Sequence, residues 1–365
     1  MEQSPDVFDQ LRALNFGPLA AQWTSRILEF KEPAKTSRNT LKYHKVFYLY
    51  VWEKHKPDCR GIGEAAPLPG LSVESVEAVE MALQDFCKQP DAWERFLHEH
   101  FAQVPSALFA LEQALLDLSS GGRQKPFPSK FTDGRDLIPI NGLIWMGSAD
   151  VMVERINQKL NEGFQCLKLK IGALDRAEEW HILKEIRSHY GAEELEIRVD
   201  ANGAFSPEEA PEALDFLAEM QVHSIEQPIA PGQTEEMAAL CAQSPVPIAL
   251  DEELIGLFTR EAKLDLLETT LPAYIILKPS LLGGFAQAEE WIELAQDLHI
   301  GWWATSALES NVALNQIAQW VYTRQNPMPQ GLGTGQLYSN NLKSPLGMEG
   351  PYLSYLPDTS MEWPD

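Results

Sequence analysis

Positive charge is scarce in this chain. Of its 365 residues, 29 are Lys or Arg and 53 are Asp or Glu, a formal net charge of −24 at pH 7. Nucleic acids and anionic membranes are bound through clustered cations, so this balance argues against both as partners. A small anionic substrate needs only a few local cations or a metal, and is compatible with it. Cysteine is sparse as well. Cys59, Cys87, Cys166 and Cys241 stand far apart and form no Cys-x-x-Cys pair. They make neither a disulfide framework nor a zinc site, and read as thiols in a reducing compartment. Long apolar runs are missing, since nothing approaches the ~18 residues of a membrane helix. The opening Met1-Glu2-Gln3-Ser4-Pro5-Asp6 has no basic stretch and no apolar one behind it, which predicts no secretory leader. The expected location is the cytoplasm.

Core-forming material is plentiful. Hydrophobic residues make up 44% and charged residues 22%, close to the average of soluble globular proteins. That excludes bulk disorder. At ~100–200 residues per domain, the length fits two domains, or one large barrel with an appendage.

The two ends of the chain are patterned differently. Residues 45–53 (Lys-Val-Phe-Tyr-Leu-Tyr-Val-Trp-Glu) are aromatic and β-branched, as strands prefer. Helical stretches follow. One spans 72–88, with Ser72 as N-cap and Val76, Val79, Met81 and Leu83 along it; the other spans 105–119, with Leu108, Leu111, Leu115 and Leu118 at helical spacing. Strand before helices suggests an α+β unit. Gly121-Gly122, Pro126 and Pro128 read as a linker. Beyond residue 137, short apolar runs alternate with amphipathic stretches. The runs lie at 137–145, 166–171, 195–199, 222–225, 248–250, 274–277, 302–304 and 331–332. Their centres are roughly 25–30 residues apart, room for a strand, a helix and two short loops. Eight strands at that period predict a parallel (β/α) barrel. A doubly wound sheet alternates in the same way, but the first strand lacks a Gly-x-Gly-x-x-Gly fingerprint. The tail after the eighth strand is too short for a full helix and is expected to fold back on the N-terminal unit.

Barrel chemistry sits at the carboxyl ends of the strands. Five successive runs end in charge: Lys168-Leu169-Lys170, Asp200-Ala201-Asn202, Glu226-Gln227-Pro228, Asp251-Glu252 and Lys278-Pro279. Strand side chains alternate, so Lys168 and Lys170 share a face, as do Asp200 and Asn202. Taken singly, a Lys-x-Lys is usually an exposed strand end and an Asp after a strand usually caps a helix. Five in register are another matter. Three carboxylates converging on one mouth repel one another, and a hard divalent cation resolves the conflict. Asp200, Glu226 and Asp251 thus read as ligands of Mg²⁺ or Mn²⁺, with lysines on either side.

These motifs resemble the enolase superfamily, and within it the muconate-lactonizing-enzyme subgroup. Softer motifs are similar to the o-succinylbenzoate synthase family: Phe30-Lys31-Glu32-Pro33 with Thr36-Ser37-Arg38, Gly61-Ile62-Gly63-Glu64, Ser306-Ala307-Leu308-Glu309-Ser310, and 331–337 (Gly-Leu-Gly-Thr-Gly-Gln-Leu). The resemblance implies an α/β fold, a (β/α)7β modified TIM barrel with an N-terminal α+β capping domain completed by the C-terminal tail. Residues 1–130 would form the cap, with 336–365 packing back on it, and 131–335 the barrel. It implies that Asp200, Glu226 and Asp251 bind Mg²⁺, that Lys170 is the general base with Lys168 beside it, and that Lys278 lies on the opposite face of the substrate. Asn202 and Glu252 would support the metal ligands. Ser37, Ser306, Ser310 and Gly333 are candidate substrate contacts, and the loops at 30–38 and 67–72 would lie over the mouth. The implied reaction is the dehydration of 2-succinyl-6-hydroxy-2,4-cyclohexadiene-1-carboxylate to 2-succinylbenzoate in menaquinone biosynthesis, a small carboxylate as substrate.

The chemistry fits those residue types. Removing a proton α to a carboxylate leaves an enediolate, and a metal stabilises charge where it develops. The base must be neutral, whereas an ordinary lysine is neutral only about once in 10³ at pH 7. Catalytic lysines are tuned to roughly 7–8. The alternatives within the subgroup are an N-succinylamino acid racemase and a dipeptide epimerase. Epimerases of this subgroup carry an Asp-x-Asp near the eighth strand, and 331–335 contains no Asp. A barrel that only binds would be expected to have lost a carboxylate or a lysine, and all are present. Oligomeric state is not encoded in any of these motifs.

Overall fold

The computed structural model describes residues 6–35, 40–100, 103–145, 148–172 and 175–364. Near the N-terminus, β1 (Leu19–Lys35), β2 (Thr40–Glu53) and β3 (Arg60–Ala65) form an antiparallel sheet in that order. Only β2 was expected from the sequence, and burial explains why. Its Phe47, Leu49 and Val51 join the main core, while Val46, Tyr48 and Tyr50 join a second cluster with Tyr338, Leu342 and Met361. A strand covered on both faces reads as a continuous apolar run. β1 is at the edge and largely half-exposed, so its signal is diluted by polar residues.

The first predicted helix begins later than expected. It spans Val76–Lys88, and Ser75, not Ser72, is the N-cap, accepting from Ala78 N at 3.1 Å. Ser72 Oγ instead accepts from Leu68 N at 2.9 Å, closing a turn. Met81 points to solvent, and Val79, Leu83 and Phe86 make the inner face. The second helix, Pro105–Ser119, lies where the periodicity puts it. It rests directly on β3, because a Cβ at Gly61 or Gly63 would fall 1.9 Å from the carbonyl oxygen of Ala114 or Ala110. The glycines of that motif are there for close approach. The stretch 121–128 is no loose linker. Gln124, Pro126 and Phe127 are buried, and the Gln124 carbonyl accepts from Asn315 Nδ2 and Gln319 Nε2, both at 2.9 Å.

The run at 137–145 divides. β4 (Ile138–Pro139) leaves the barrel, and β5 (Gly142–Ile144) opens it. The staves β6 (Cys166–Lys170), β7 (Glu196–Asp200), β8 (Ser224–Glu226), β9 (Ile248–Leu250), β10 (Tyr274–Leu277) and β11 (Gly301–Ala304) follow in sequential parallel order, with helices between them. No extended eighth strand forms at 331–332. Two residues close the ring instead. Gly331 N donates to the Ala304 carbonyl at 2.8 Å, and Gln330 N to the Pro139 carbonyl at 2.8 Å; Asn141 N returns a bond to the Gln330 carbonyl at 3.0 Å. The result is a curled parallel barrel of the (β/α)7β kind. β12 (Leu346–Glu349) and β13 (Tyr352–Tyr355) form a hairpin that pairs with β4. The tail also reaches the first sheet, where Lys31 N donates to the Leu337 carbonyl and Ser339 N to the Glu29 carbonyl, at 2.9 and 2.8 Å. No helix among the described residues is long and apolar enough to cross a membrane.

Two buried carboxylates dock the N-terminal unit on the barrel. Glu112 accepts from the backbone N–H groups of Phe285 and Ala286, at the start of the helix Phe285–Asp297. Glu64 accepts from Ser310 N, Ser310 Oγ and Ala313 N at 2.7, 2.6 and 2.9 Å, at the start of the helix Asn311–Thr323. Orphan N–H groups and the helix dipole both favour a carboxylate there. Burial nevertheless pushes Glu112 up to about 8 and Glu64 up to about 7, and the N–H donors offset only part of that.

The sign of the pH dependence follows. The unfolded chain releases the Glu112 proton near 4.5 and the folded chain near 8. Between those values the folded state holds more protons, so this group's contribution to stability falls as pH rises, by at most ~1.4 kcal/mol per pH unit. Glu112→Gln removes that titration. The stability advantage of the native chain over E112Q, followed by thermal unfolding, should be larger at pH 5 than at pH 8; a gap independent of pH would contradict the assignment.

Candidate active site

The register of the barrel sheet builds the site. Lys170 is paired with Asp200 across β6 and β7, and Asp200 with Glu226 across β7 and β8. Glu226 pairs with Ala249 on β9, and Asp251 lies two residues further on, with the same facing. Lys278 directly follows β10. Below this row the interior is plugged. The Arg198 guanidinium lies 4.2 Å from the centre of the Trp303 ring, and Trp303 packs with Ala249 and Ile276. The charged row is thereby confined to the carboxyl ends of the strands.

The charges interlock. Lys168 Nζ lies 2.5 Å from Glu226 Oε2 and 2.8 Å from Asp200 Oδ2. Lys170 Nζ donates to Asp200 Oδ2 at 2.5 Å and to Asn202 Oδ1 at 3.0 Å. Lys278 Nζ bonds Asp251 Oδ2. Asn202 Nδ2 donates to Glu252 Oε1 at 3.1 Å, which places both of these residues beside the acids. All eight groups named here are buried. Burial disfavours charge on each acid, but in Asp200 the lysines at 168 and 170 outweigh it and hold the carboxyl well below its ordinary range. Asp251 is also lowered, because Lys278 outweighs its burial. Glu226 goes the other way: burial pushes it well above its ordinary value, and the charge of Asp200 adds to the push. Burial also opposes charge on Lys168 and Lys278, yet the surrounding carboxylates prevail and raise both.

One carboxylate oxygen from each of Asp200, Glu226 and Asp251 lies within 4.8 Å of the others. Glu226 Oε1 is buried and makes no hydrogen bond among the described residues. A buried carboxylate oxygen without a donor is costly. Three hard oxygen donors around one point, one of them unsatisfied, fit a divalent cation. Two backbone positions hold this arrangement in place. Asn202 and Gln227 both have left-handed φ, 46° and 43°, a conformation that asparagine tolerates and most residues resist. The Gln227 side chain then spans β8 and β9: its Oε1 accepts from Asp251 N and Glu253 N, and its Nε2 donates to Glu253 Oε2 at 3.1 Å.

A cavity opens over the row. Lys168, Lys170, Asn202 and Lys278 form its floor, and Leu68, Leu71, Leu143, Trp145 and Leu308 contribute apolar wall. Polar wall comes from Asn141, Thr305, Ser306, Gly333 and Thr334. Ser306 Oγ and Thr334 Oγ1 are 2.6 Å apart. One expected contact, Ser310, does not fall in it. Ser310 is turned away and spent on the N-terminus of its own helix and on Glu64. Ser37 lies outside the described residues, as do Thr36 and Arg38. Sequence reading missed Asn141, Leu143, Trp145, Thr334 and the bridging role of Gln227. Asn141 had the weakest signal, one polar residue inside an apolar run; its Oδ1 is buried and makes no hydrogen bond among the described residues.

Known proteins bear out the architecture. Residues 151–354 match the family described as enolase C-terminal domain-like, and residues 41–118 match the MenC N-terminal domain. The chain is 48% identical over 358 residues to an o-succinylbenzoate synthase of Desulfotalea psychrophila, covering 89% of this chain and 96% of that protein. The crystal structure of MenC from Desulfotalea psychrophila superposes with a TM-score of 0.82 at 44% identity, over 93% of this chain and 100% of that one. An L-Ala-D/L-Glu epimerase of Bacillus subtilis is 25% identical over 315 residues, 83% of this chain and 84% of that protein. This chain belongs to the enolase superfamily, in the family that holds the o-succinylbenzoate synthases.

Proposed function

We propose that this chain is an o-succinylbenzoate synthase, a lyase that dehydrates 2-succinyl-6-hydroxy-2,4-cyclohexadiene-1-carboxylate to 2-succinylbenzoate in menaquinone biosynthesis. The observation that carries the reading is the interlocked row of Lys168, Lys170, Asp200, Glu226, Asp251 and Lys278 beneath one cavity, in a chain 48% identical to such an enzyme. Asp200, Glu226 and Asp251 would hold Mg²⁺, with Mn²⁺ accepted by the same oxygen donors. A cation bound there supplies Lewis-acid stabilisation as negative charge gathers on the substrate carboxylate.

The side chains divide the remaining work. Lys170 takes the proton from the ring carbon that bears the carboxylate. The electrons of that C–H bond pass toward the carboxylate and give the enediolate. They return as the ring C–O bond breaks, and the ring becomes aromatic. The proton now on Lys170 goes to the departing hydroxyl, which leaves as water. Lys168, kept protonated by Asp200 and Glu226, and Lys278, held by Asp251, place ammonium charge around the ring. Asn202 and Glu252 brace the acids. Ser306, Gly333 and Thr334, on the polar wall, receive the succinyl arm, while the apolar wall covers the ring and excludes water. The unpaired thiols of Cys59, Cys87, Cys166 and Cys241 suit a cytoplasmic setting. We assign residues 1–130 and 336–365 to the cap and 131–335 to the barrel.

A racemase acting on N-succinylamino acids is the second reading, because Lys170 and Lys278 both face the cavity and both substrates carry a succinyl arm. Assaying the cyclohexadiene substrate beside a panel of N-succinylamino acids decides between them. Dehydration should dominate in kcat/KM; racemisation without dehydration would overturn the proposal.

Two variant series test the roles. Lys170→Ala should abolish turnover, a loss of at least ~10²–10⁴-fold, while Mg²⁺ titration stays close to that of the native chain. Substantial residual dehydration would move the base elsewhere. Asp200→Asn and Glu226→Gln should weaken Mg²⁺ affinity and shrink the rise in thermal midpoint that Mg²⁺ gives over EDTA. Titration curves identical to the native chain's would remove those residues from the metal site.

A further inference from the structure

Leu308 combines two features. Its side chain lines the cavity, and its φ is +66°. Leucine has no side-chain group to stabilise a left-handed backbone, so the surroundings must impose the conformation. Strain of this sort gathers where a site has to be held in one shape.

The means of holding it are visible. The Leu308 carbonyl accepts from the Tyr338 hydroxyl at 2.5 Å, and His44 Nδ1 lies 2.9 Å from the same oxygen. With the ring proton on Nδ1 this oxygen takes two donated bonds, since a carbonyl only accepts. Neither donor belongs to the barrel. His44 is on β2, Tyr338 is in the C-terminal tail, and both are buried. The other ring nitrogen of His44, Nε2, is 3.2 Å from the Pro67 carbonyl, beside Leu68, which packs in one apolar cluster with Leu308 and Leu71. Tyr338 is itself fixed by its ring against Phe30, with centroids 4.5 Å apart. On either side of Leu308 the loop is tied down again. Ser306 Oγ accepts from Leu308 N at 3.3 Å, and Ser310 is bound to Glu64. A turn that merely connected β11 to its helix would need no second donor on one carbonyl.

We propose that Tyr338 and His44 are positioning residues that hold Leu308 in its left-handed conformation and so fix the apolar wall against which the substrate packs. The cap and the tail thereby set the shape of a pocket whose chemistry is supplied by the barrel. This rests on the dehydratase reading for its kinetic arm and on geometry alone for its structural arm.

The test uses the full-length enzyme with Mg²⁺. Tyr338→Phe removes only the hydroxyl, and His44→Leu removes the ring donor. Each should raise KM for the cyclohexadiene substrate by about 3–10-fold, the equivalent of one lost hydrogen bond, with kcat within about twofold of native. His44→Asn places an amide N–H near the former Nδ1 and should restore most of the loss. A purely structural role would lower the thermal midpoint in all three variants and leave KM alone. Crystal structures of Y338F and H44L supply the second arm, and Leu308 should move out of the left-handed region in at least one. An unchanged KM in both variants, or Leu308 unmoved in both structures, overturns the proposal. A native enzyme that fails to turn over the substrate sinks the dehydratase reading instead, and the crystallographic arm still decides the role of Tyr338 and His44.

Discussion

Mutual repulsion among three carboxylates is the constraint that organises this molecule. Asp200, Glu226 and Asp251 end three neighbouring strands, buried and within 4.8 Å of one another. Such a cluster survives in a folded chain only if opposite charge is brought to it. The lysines of β6 and the one after β10 bring part of it. Lys168 is shared between Asp200 and Glu226, and Glu226 is still left with an unsatisfied oxygen and a carboxyl pushed well above its ordinary value. The three lysines match the three acids in number, yet they leave one carboxylate oxygen without a donor among the described residues. That oxygen and its two neighbours form a cluster that could hold a divalent cation, with the amines beside it.

The barrel alone does not make the pocket. Its strands and the loops after them supply the charged floor and most of the wall, but Leu68 and Leu71 come from the loop after β3, and Leu308 is bonded from outside by Tyr338 and His44. Glu64, bonded to Ser310 two residues beyond Leu308, and Glu112 tie the same N-terminal unit to the barrel. Part of the pocket's shape is thus carried by segments outside the barrel that supplies the charged row. A family can keep the row while varying those segments, which suits a superfamily whose members share a fold at 20–25% identity and carry different names.

The charged row was legible because it breaks a strong local rule. A strand buried on both faces should be apolar throughout, so Lys168, Asp200 and Glu226 at the ends of such strands stand out. The period of the runs made the barrel legible for the same reason. What the sequence hid is what depends on partners distant in the chain. β1 lies at a sheet edge and carries no clean alternation. The eighth stave is two residues, Gln330 and Gly331, defined by bonds to Ala304, Pro139, Asn141 and Ser306. Ser72 and Ser75 are equivalent N-caps until the turn at Leu68 claims the first. Ser310 belonged to a motif beside the mouth, but a helix start competes for the same hydroxyl, and Glu64 settles the matter. Gln227 sits inside a recognised motif, yet its bridging depends on a left-handed φ that its residue type does not announce.

The central claim is that the three acids serve one shared ion. Anomalous diffraction from crystals of the native enzyme grown with Mn²⁺ tests it most directly. The account predicts a single strong peak in the barrel mouth, about 2.0–2.4 Å from an oxygen of each of Asp200, Glu226 and Asp251. A peak bound by fewer than three of them, or density for manganese only elsewhere on the molecule, would contradict it.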